Sequence, residues 1–246
     1  MQRFFVEQKQ VKKPEISITG TDVNHIQRVL RMKRSEELFV SDGENHVYHC
    51  VIKDMDEDEV VVEIIKEIKG TTELPSKIYL FQGLPKADKM ELIVQKAIEL
   101  GVHEIIPVDT KRSVVKLDAA KAKKKIERWN MIAKSAAKQA GRDYIPVVKD
   151  VMLYADALNY SQEIDVRLIP YELAEDMHAT KGMIEHIQAG ESIAVFIGPE
   201  GGFDKEEIDK ALKLQITPIT LGKRILRTET AGLAMLSILM YHLENK

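Results

Sequence analysis

Ile193-Ala-Val-Phe-Ile-Gly-Pro-Glu-Gly-Gly-Phe203 sets the fold class. The apolar run Ile193 to Ile197 reads as a buried strand. It stops at Gly198-Pro199, turns through Gly201-Gly202, and a polar helix opens at Asp204. A second strand, Ile216 to Leu221, ends in Gly222-Lys-Arg-Ile-Leu-Arg-Thr-Glu-Thr-Ala231. Two strands that each end in a glycine-bearing loop and feed a helix build a pocket at the carboxyl ends of a parallel sheet. Glycines there let a ligand approach backbone amides directly.

Upstream, the pattern alternates strand and helix back to Ser76. Lys77 to Gln82, Glu104 to Val108 and Val166 to Ile169 read as strands. Asp88 to Leu100 reads as a helix, with Met90, Ile93, Val94, Ala97 and Ile98 on one face and Gly101 as its stop. Asp118 to Ala140 is a long basic helix, and Trp129 on it is expected in the core or at a dimer contact. Thr228 to Leu243 is apolar nearly all round and is expected to be buried. The alternation predicts an α/β fold with a mostly parallel sheet and helices on both faces.

Residues 1–70 differ. Glu37 to Ser41, His46 to Ile52 and Val60 to Ile65 read as strands, and Thr21 to Met32 as one short helix carrying Val23, Ile26, Val29 and Leu30 on one face. This predicts a small β-barrel. Gly70-Thr-Thr-Glu-Leu-Pro75 is the expected linker, giving domains at 1–70 and 76–246.

A single cysteine, Cys50, excludes an intrachain disulfide and a cysteine-rich metal site. No apolar run approaches the roughly 20 residues that span a bilayer, and the first residues lack signal-peptide design; a cytoplasmic protein is expected. The net charge is −3 but uneven. From Lys86 to Arg142 there are 14 basic residues against 7 acidic, whereas Ser35 to Gly70 has 3 against 11. Basic blocks in an acidic chain point to a polyanionic partner, with a solvated helical face as the alternative for Lys121 to Lys125.

Neither loop carries a P-loop or a dinucleotide fingerprint. Glu200 would repel a pyrophosphate but suits a ribose hydroxyl or a cationic ligand, including a methyl donor of the sulfonium type. Otherwise the glycines serve tight turns and Glu200 caps the following helix. In the second loop, Thr228 is a candidate N-cap, Glu229 and Thr230 occupy the first turn, and the small Ala231 and Gly232 permit close approach. Leu221 and Leu226 are placed to flank an adenine ring.

These two segments resemble the signatures of the RsmE-type 16S rRNA uracil-N3 methyltransferases, of the SPOUT superfamily. The likeness extends to Arg3-Phe4-Phe5, His25-Ile-Gln-Arg-Val-Leu-Arg31, Asp42-Gly43, Lys86 to Lys96, Glu99-Leu-Gly101, Glu127-Arg-Trp129 and Ala136-Ala-Lys-Gln-Ala140. The resemblance implies a PUA-like β-barrel followed by an α/β domain with a trefoil knot, acting as a homodimer on a uridine of 16S rRNA, within the assembled small subunit. It implies that S-adenosylmethionine is held by three loops. Leu168, Pro170 and Glu172 belong to the first; Ile197, Gly198, Pro199, Gly201 and Gly202 to the second; Leu221, Gly222, Ile225, Leu226, Thr228, Glu229, Thr230 and Ala231 to the third. No metal is expected. Arg227 is the candidate to stabilise an enolate oxygen, or else pairs with Glu200 or Glu229. Glu200 would act as a general base only with its pKa raised by burial. For RNA contact, Arg3, His25, Arg28, Arg31, Lys86, Lys89, Arg112 and Arg142 are the candidates. A non-catalytic rRNA-binding or assembly factor of the same fold, or a tRNA methyltransferase, are the alternatives.

Overall fold

The structure is a computed structural model that describes every residue except 172, 173, 175, 245 and 246. It divides into two compact units, Met1–Glu73 with Ala137–Ile145, and Leu74–Ala136 with Pro146–Lys246. The chain thus returns to the first unit at the end of the long basic helix, from Ala137, a crossing that a single break at 70–76 does not include.

The first unit holds β1 (Arg3–Phe5), β2 (Val11–Lys12), β3 (Glu15–Thr19), β4 (Glu37–Ser41), β5 (His46–Met55) and β6 (Glu59–Lys69). They form one sheet in the order β1-β4-β5-β6-β3-β2, a half-barrel with β1 and β2 at its edges. Only the β1–β4 pair is parallel. Alternation builds its core: Ile16, Ile18, Leu38, Val40, Cys50, Ile52, Val60 and Val62 all face inward and are buried. Each aliphatic side chain among them contributes roughly 1.5–3 kcal/mol by leaving water. The helix expected over 21–32 is shorter and bent. α1 (Thr21–Asn24) widens into a π turn at His25–Val29, where Leu30 N–H donates to His25 O at 2.9 Å. The wider turn keeps Val23 and Ile26 in the core but rotates Val29 out, leaving it 65% exposed.

In the second unit, β7 (Ile78–Gly83), β8 (Glu104–Asp109), β9 (Val147–Val148), β10 (Met152–Leu153), β11 (Val166–Pro170), β12 (Ile193–Ile197) and β13 (Thr217–Ile219) form a parallel sheet. The order is β10-β8-β7-β12-β11-β13, with β9 also on β8. The helices are α2 (Lys89–Glu99), α3 (Ala119–Gln139), α4 (Tyr154–Tyr160), α5 (Met177–His186), α6 (Lys205–Lys213) and α7 (Thr228–Glu244). β12 is buried at all five positions because both faces of the sheet are covered. On one face Phe196 stacks on Phe81, ring centroids 4.3 Å apart, beneath residues of α4 and α6. On the other, α7 packs on β12 and α2.

α7 departs from expectation. Thr228, Gly232, Met235, Leu236, Leu239 and Leu243 are buried, but Ile238 and Tyr241 are 41% and 74% exposed. The sheet and α2 cover one side of the helix, so its all-round apolarity leaves a second apolar face outward. Trp129 is buried.

Candidate functional site

The carboxyl ends of β11, β12 and β13 open on a cavity of about 1010 Å³. Ile197 to Phe203 form one wall and Thr220 to Thr228 another, with Ala231 behind. Pro170, Tyr171, Ala174 and Met177 close it on the β11 side, and Lys89 reaches in from α2.

Glycine is required where the turn after β12 closes. A Cβ on Gly198 would sit 3.0 Å from the Gly202 Cα and carbonyl carbon. Gly202 has φ +66° and donates its N–H to Pro199 O at 2.9 Å. Gly83, at the end of β7, leaves room for Pro199: its Cβ would lie 2.6 Å from Pro199 Cδ. The turn hands over to α6 through Asp204, which forms a reciprocal capping box with Glu207. Asp204, not Glu200, is therefore the cap.

A buried polar relay joins three segments. Gln82 Nε2 donates to Thr228 Oγ1 at 2.9 Å, and Thr228 Oγ1 donates to Gly198 O at 2.6 Å. Thr228 is thus not the N-cap expected for α7. Its hydroxyl serves the neighbouring loop, while Arg227 O accepts the Ala231 N–H at 2.8 Å.

Glu200 accepts from Lys89 Nζ at 2.9 Å and from the Lys86 N–H at 3.1 and 3.3 Å. Partial burial pushes its carboxyl up, but the Lys89 ammonium, its own backbone N–H and that of Lys86 outweigh this and hold it below the ordinary carboxylate range. The condition for Glu200 as a general base, a raised pKa, is not met. Glu229 lies 3.3 Å from the same ammonium. Both carboxylates go to Lys89 and neither to Arg227, which lines the cavity, is exposed, and has no ion pair among the described residues.

Of the residues expected at the donor, Pro170, Ile197, Gly198, Pro199, Gly201, Gly202, Leu221, Gly222, Ile225, Leu226, Thr228 and Ala231 line the cavity. Leu168 does not: it is fully buried within β11, between Val195 and Thr217. Glu229 and Thr230 lie outside the lining, the first turned toward Lys89. Glu172 lies outside the described residues. Tyr171, within the first expected loop, lines the cavity as well. Sequence reading missed Met177 and Thr220 in the lining, and the buried Gln82; a lone polar side chain ending an apolar strand was the available signal for the last.

The residues expected to meet RNA separate into three groups. His25, Arg28, Arg31 and Lys86 are exposed. Arg112 and Lys89 are engaged in the second unit, Arg112 donating to Gly201 O at 2.9 Å and bracing the turn. Arg142 departs from expectation: it is 4% exposed and paired with Glu73, so its guanidinium is spent inside the first unit and does not face RNA. Arg3 is likewise bound, to Asp143 and to Gly141 O at 2.5 Å. Among the described residues no acid, histidine or cysteine cluster suits a metal ion, and no helix is long and apolar enough to cross a membrane.

Comparison with known proteins bears on this geometry. An RNA methyltransferase domain matches residues 72–240, and an RNA methyltransferase PUA domain matches 18–65. A ribosomal RNA small subunit methyltransferase E of Bacillus subtilis is 39% identical over 99% of this chain and 98% of its own. The same-named enzyme of Neisseria gonorrhoeae, solved bound to S-adenosyl methionine, superposes with a TM-score of 0.82 at 29% identity, covering 98% of this chain and 97% of its own. A methyltransferase from Legionella pneumophila, solved with bound SAM, gives 0.82 at 30% identity, covering 97% and 96%.

Proposed function

The chain belongs to the ribosomal RNA small subunit methyltransferase E family, and we propose that it transfers a methyl group from S-adenosylmethionine to N3 of one uridine in 16S rRNA. The observation that carries this reading is the glycine cradle. Gly198 has no room for a side chain against Gly202, Gly202 itself turns at φ +66°, and the facing loop puts Gly222, at φ +107°, on the same cavity. Backbone so exposed suits an adenosyl ligand. Bound there, the donor supplies an electrophilic methyl on a sulfonium.

The protein's own contribution is alignment and charge. Holding both reactants converts a bimolecular encounter into an effectively unimolecular one. N3 lies on the pairing edge, so the uridine must be unpaired or extruded to reach the cavity mouth. Arg227, uncommitted to either acid, is positioned to stabilise the uracil oxygen as the imide proton leaves. Glu200 remains an ion-paired carboxylate. The exposed cations Lys223 and Arg224 line the same cavity and suit phosphate contact.

The same reading takes the enzyme as a cytoplasmic homodimer acting on the assembled small subunit. The outward apolar face of α7 supports the dimer. A trefoil knot fits the chain path, because β13 lands beyond β11 while α7 returns to β12 on the opposite face from α6. Deleting the gene and mapping uridine methylation on 16S rRNA tests the assignment. Loss of one N3-methyluridine is expected, and an unchanged map removes the rRNA substrate.

A further inference from the structure

We propose that Lys89 is a positioning residue for the methyl donor: its ammonium ties the turn after β12 to the first turn of α7 and so fixes the shape of the cavity. The inference rests on reading that cavity as the donor site.

Lys89 sits in the first turn of α2, more than 100 residues before either partner. Its Nζ lies 2.9 Å from Glu200 Oε1 on one loop and 3.3 Å from Glu229 Oε2 on the other. Glu229 Oε2 is buried and accepts no well-aligned hydrogen bond among the described residues. The Lys89 ammonium is therefore its compensating charge. Glu200 is gripped a second time, by the Lys86 N–H. Between these two contacts, Ala87 adopts φ +54°, a left-handed conformation unfavourable for a residue with a Cβ. The turn is bent so that one short segment delivers both an N–H and an ammonium to the carboxylates.

Removal of Lys89 would leave two part-buried carboxylates from two loops facing each other without a cation. Such a pair relaxes by moving apart, and the loops that carry it are the two walls of the cavity. One ammonium against two carboxylates also leaves a single negative charge at this wall, opposite in sign to a sulfonium.

Calorimetry with S-adenosylmethionine on wild type, K89M, E229Q and K89M/E229Q tests this. Glu229 does not line the cavity, so its effect on binding must pass through the tie. Wild type binds; K89M binds about tenfold more weakly; adding E229Q to K89M restores at least part of that loss, because the orphaned carboxylate is gone. K89M binding as wild type overturns the inference while leaving the donor site intact. Loss without any restoration also overturns it, since Lys89 would then be touching the ligand itself. A wild type that does not bind ends the donor reading and this inference with it. Should K89M fail to fold, E229Q alone must weaken binding, and unchanged affinity overturns the proposal.

Discussion

Thr228 Oγ1 lies 2.6 Å from the carbonyl oxygen of Gly198, thirty residues earlier in the chain. The bond fastens the first residue of α7 to the turn after β12, and Gln82 completes it from beneath. The cavity walls are therefore joined by hydrogen bonds on the buried side and by the Lys89 ion pairs on the open side.

Thr228→Ala is expected to destabilise the fold by about 1–3 kcal/mol, because it strips the part-buried Gly198 carbonyl of its donor and removes the acceptor of the buried Gln82 amide. Thr228→Ser keeps the hydroxyl and is expected to cost under about 1 kcal/mol. Urea denaturation separates them: the midpoint falls for alanine at an unchanged slope.

Two glycines are expected to respond in opposite directions. Gly83→Ala drives a Cβ to 2.6 Å from Pro199 Cδ, and should cost about 1–3 kcal/mol through backbone displacement. Gly182, inside α5, has no left-handed φ, and a methyl added there would meet no described atom within 4 Å. Gly182→Ala should therefore stabilise by about 0.5–1 kcal/mol. Thermal melts of both variants check the sign.

The depressed carboxyl of Glu200 gives a pH signature. A group whose folded pKa lies below its unfolded value stabilises the fold above that unfolded value, ordinarily 4.5 for Glu, and loses the contribution as pH falls through the folded value. The melting difference between wild type and Glu200→Gln should be present at neutral pH and shrink below about pH 4.5. A difference that stays constant into stronger acid would contradict the ion-pair assignment.

Arg227→Ala should reduce kcat by about 10²–10³-fold, the range for removing a group that stabilises a developing oxyanion. Donor affinity should change little, because Arg227 bonds neither acid that shapes the loops. Equal loss in kcat and donor affinity would mean that the side chain builds the loop instead.

Ile238→Glu with Tyr241→Glu places two charges on the outward face of α7. Sedimentation should show a dimer for wild type and a monomer for the double variant, with secondary structure retained. A wild-type monomer would contradict the dimer.

The parallel sheet was legible because β12 carries its signal in five consecutive apolar residues, and the observed strand has the expected bounds. α2 was equally plain, since Met90, Ile93, Val94, Ala97 and Ile98 share one buried face. β1, β2 and β3 were missed: they are two to five residues long, and β1 and β3 take their places from pairing with the distant β4 and β6, with β2 added at the edge on β3. The π turn at His25–Val29 was hidden because one extra residue in a turn leaves the local apolar spacing almost unchanged. At the site, the glycines announced the cradle. The partner of Glu200 was not readable, because the choice between Arg227 and Lys89 depends on where α2 docks, which no local spacing encodes.

What the two loops hold decides whether this cavity is the donor site. A crystal structure of the protein grown with S-adenosylmethionine should show the donor between residues 197–203 and 221–228, its sulfonium methyl facing the side of the cavity that bears Arg227. Loops that remain empty at saturating donor, or a donor bound elsewhere on the chain, would contradict it.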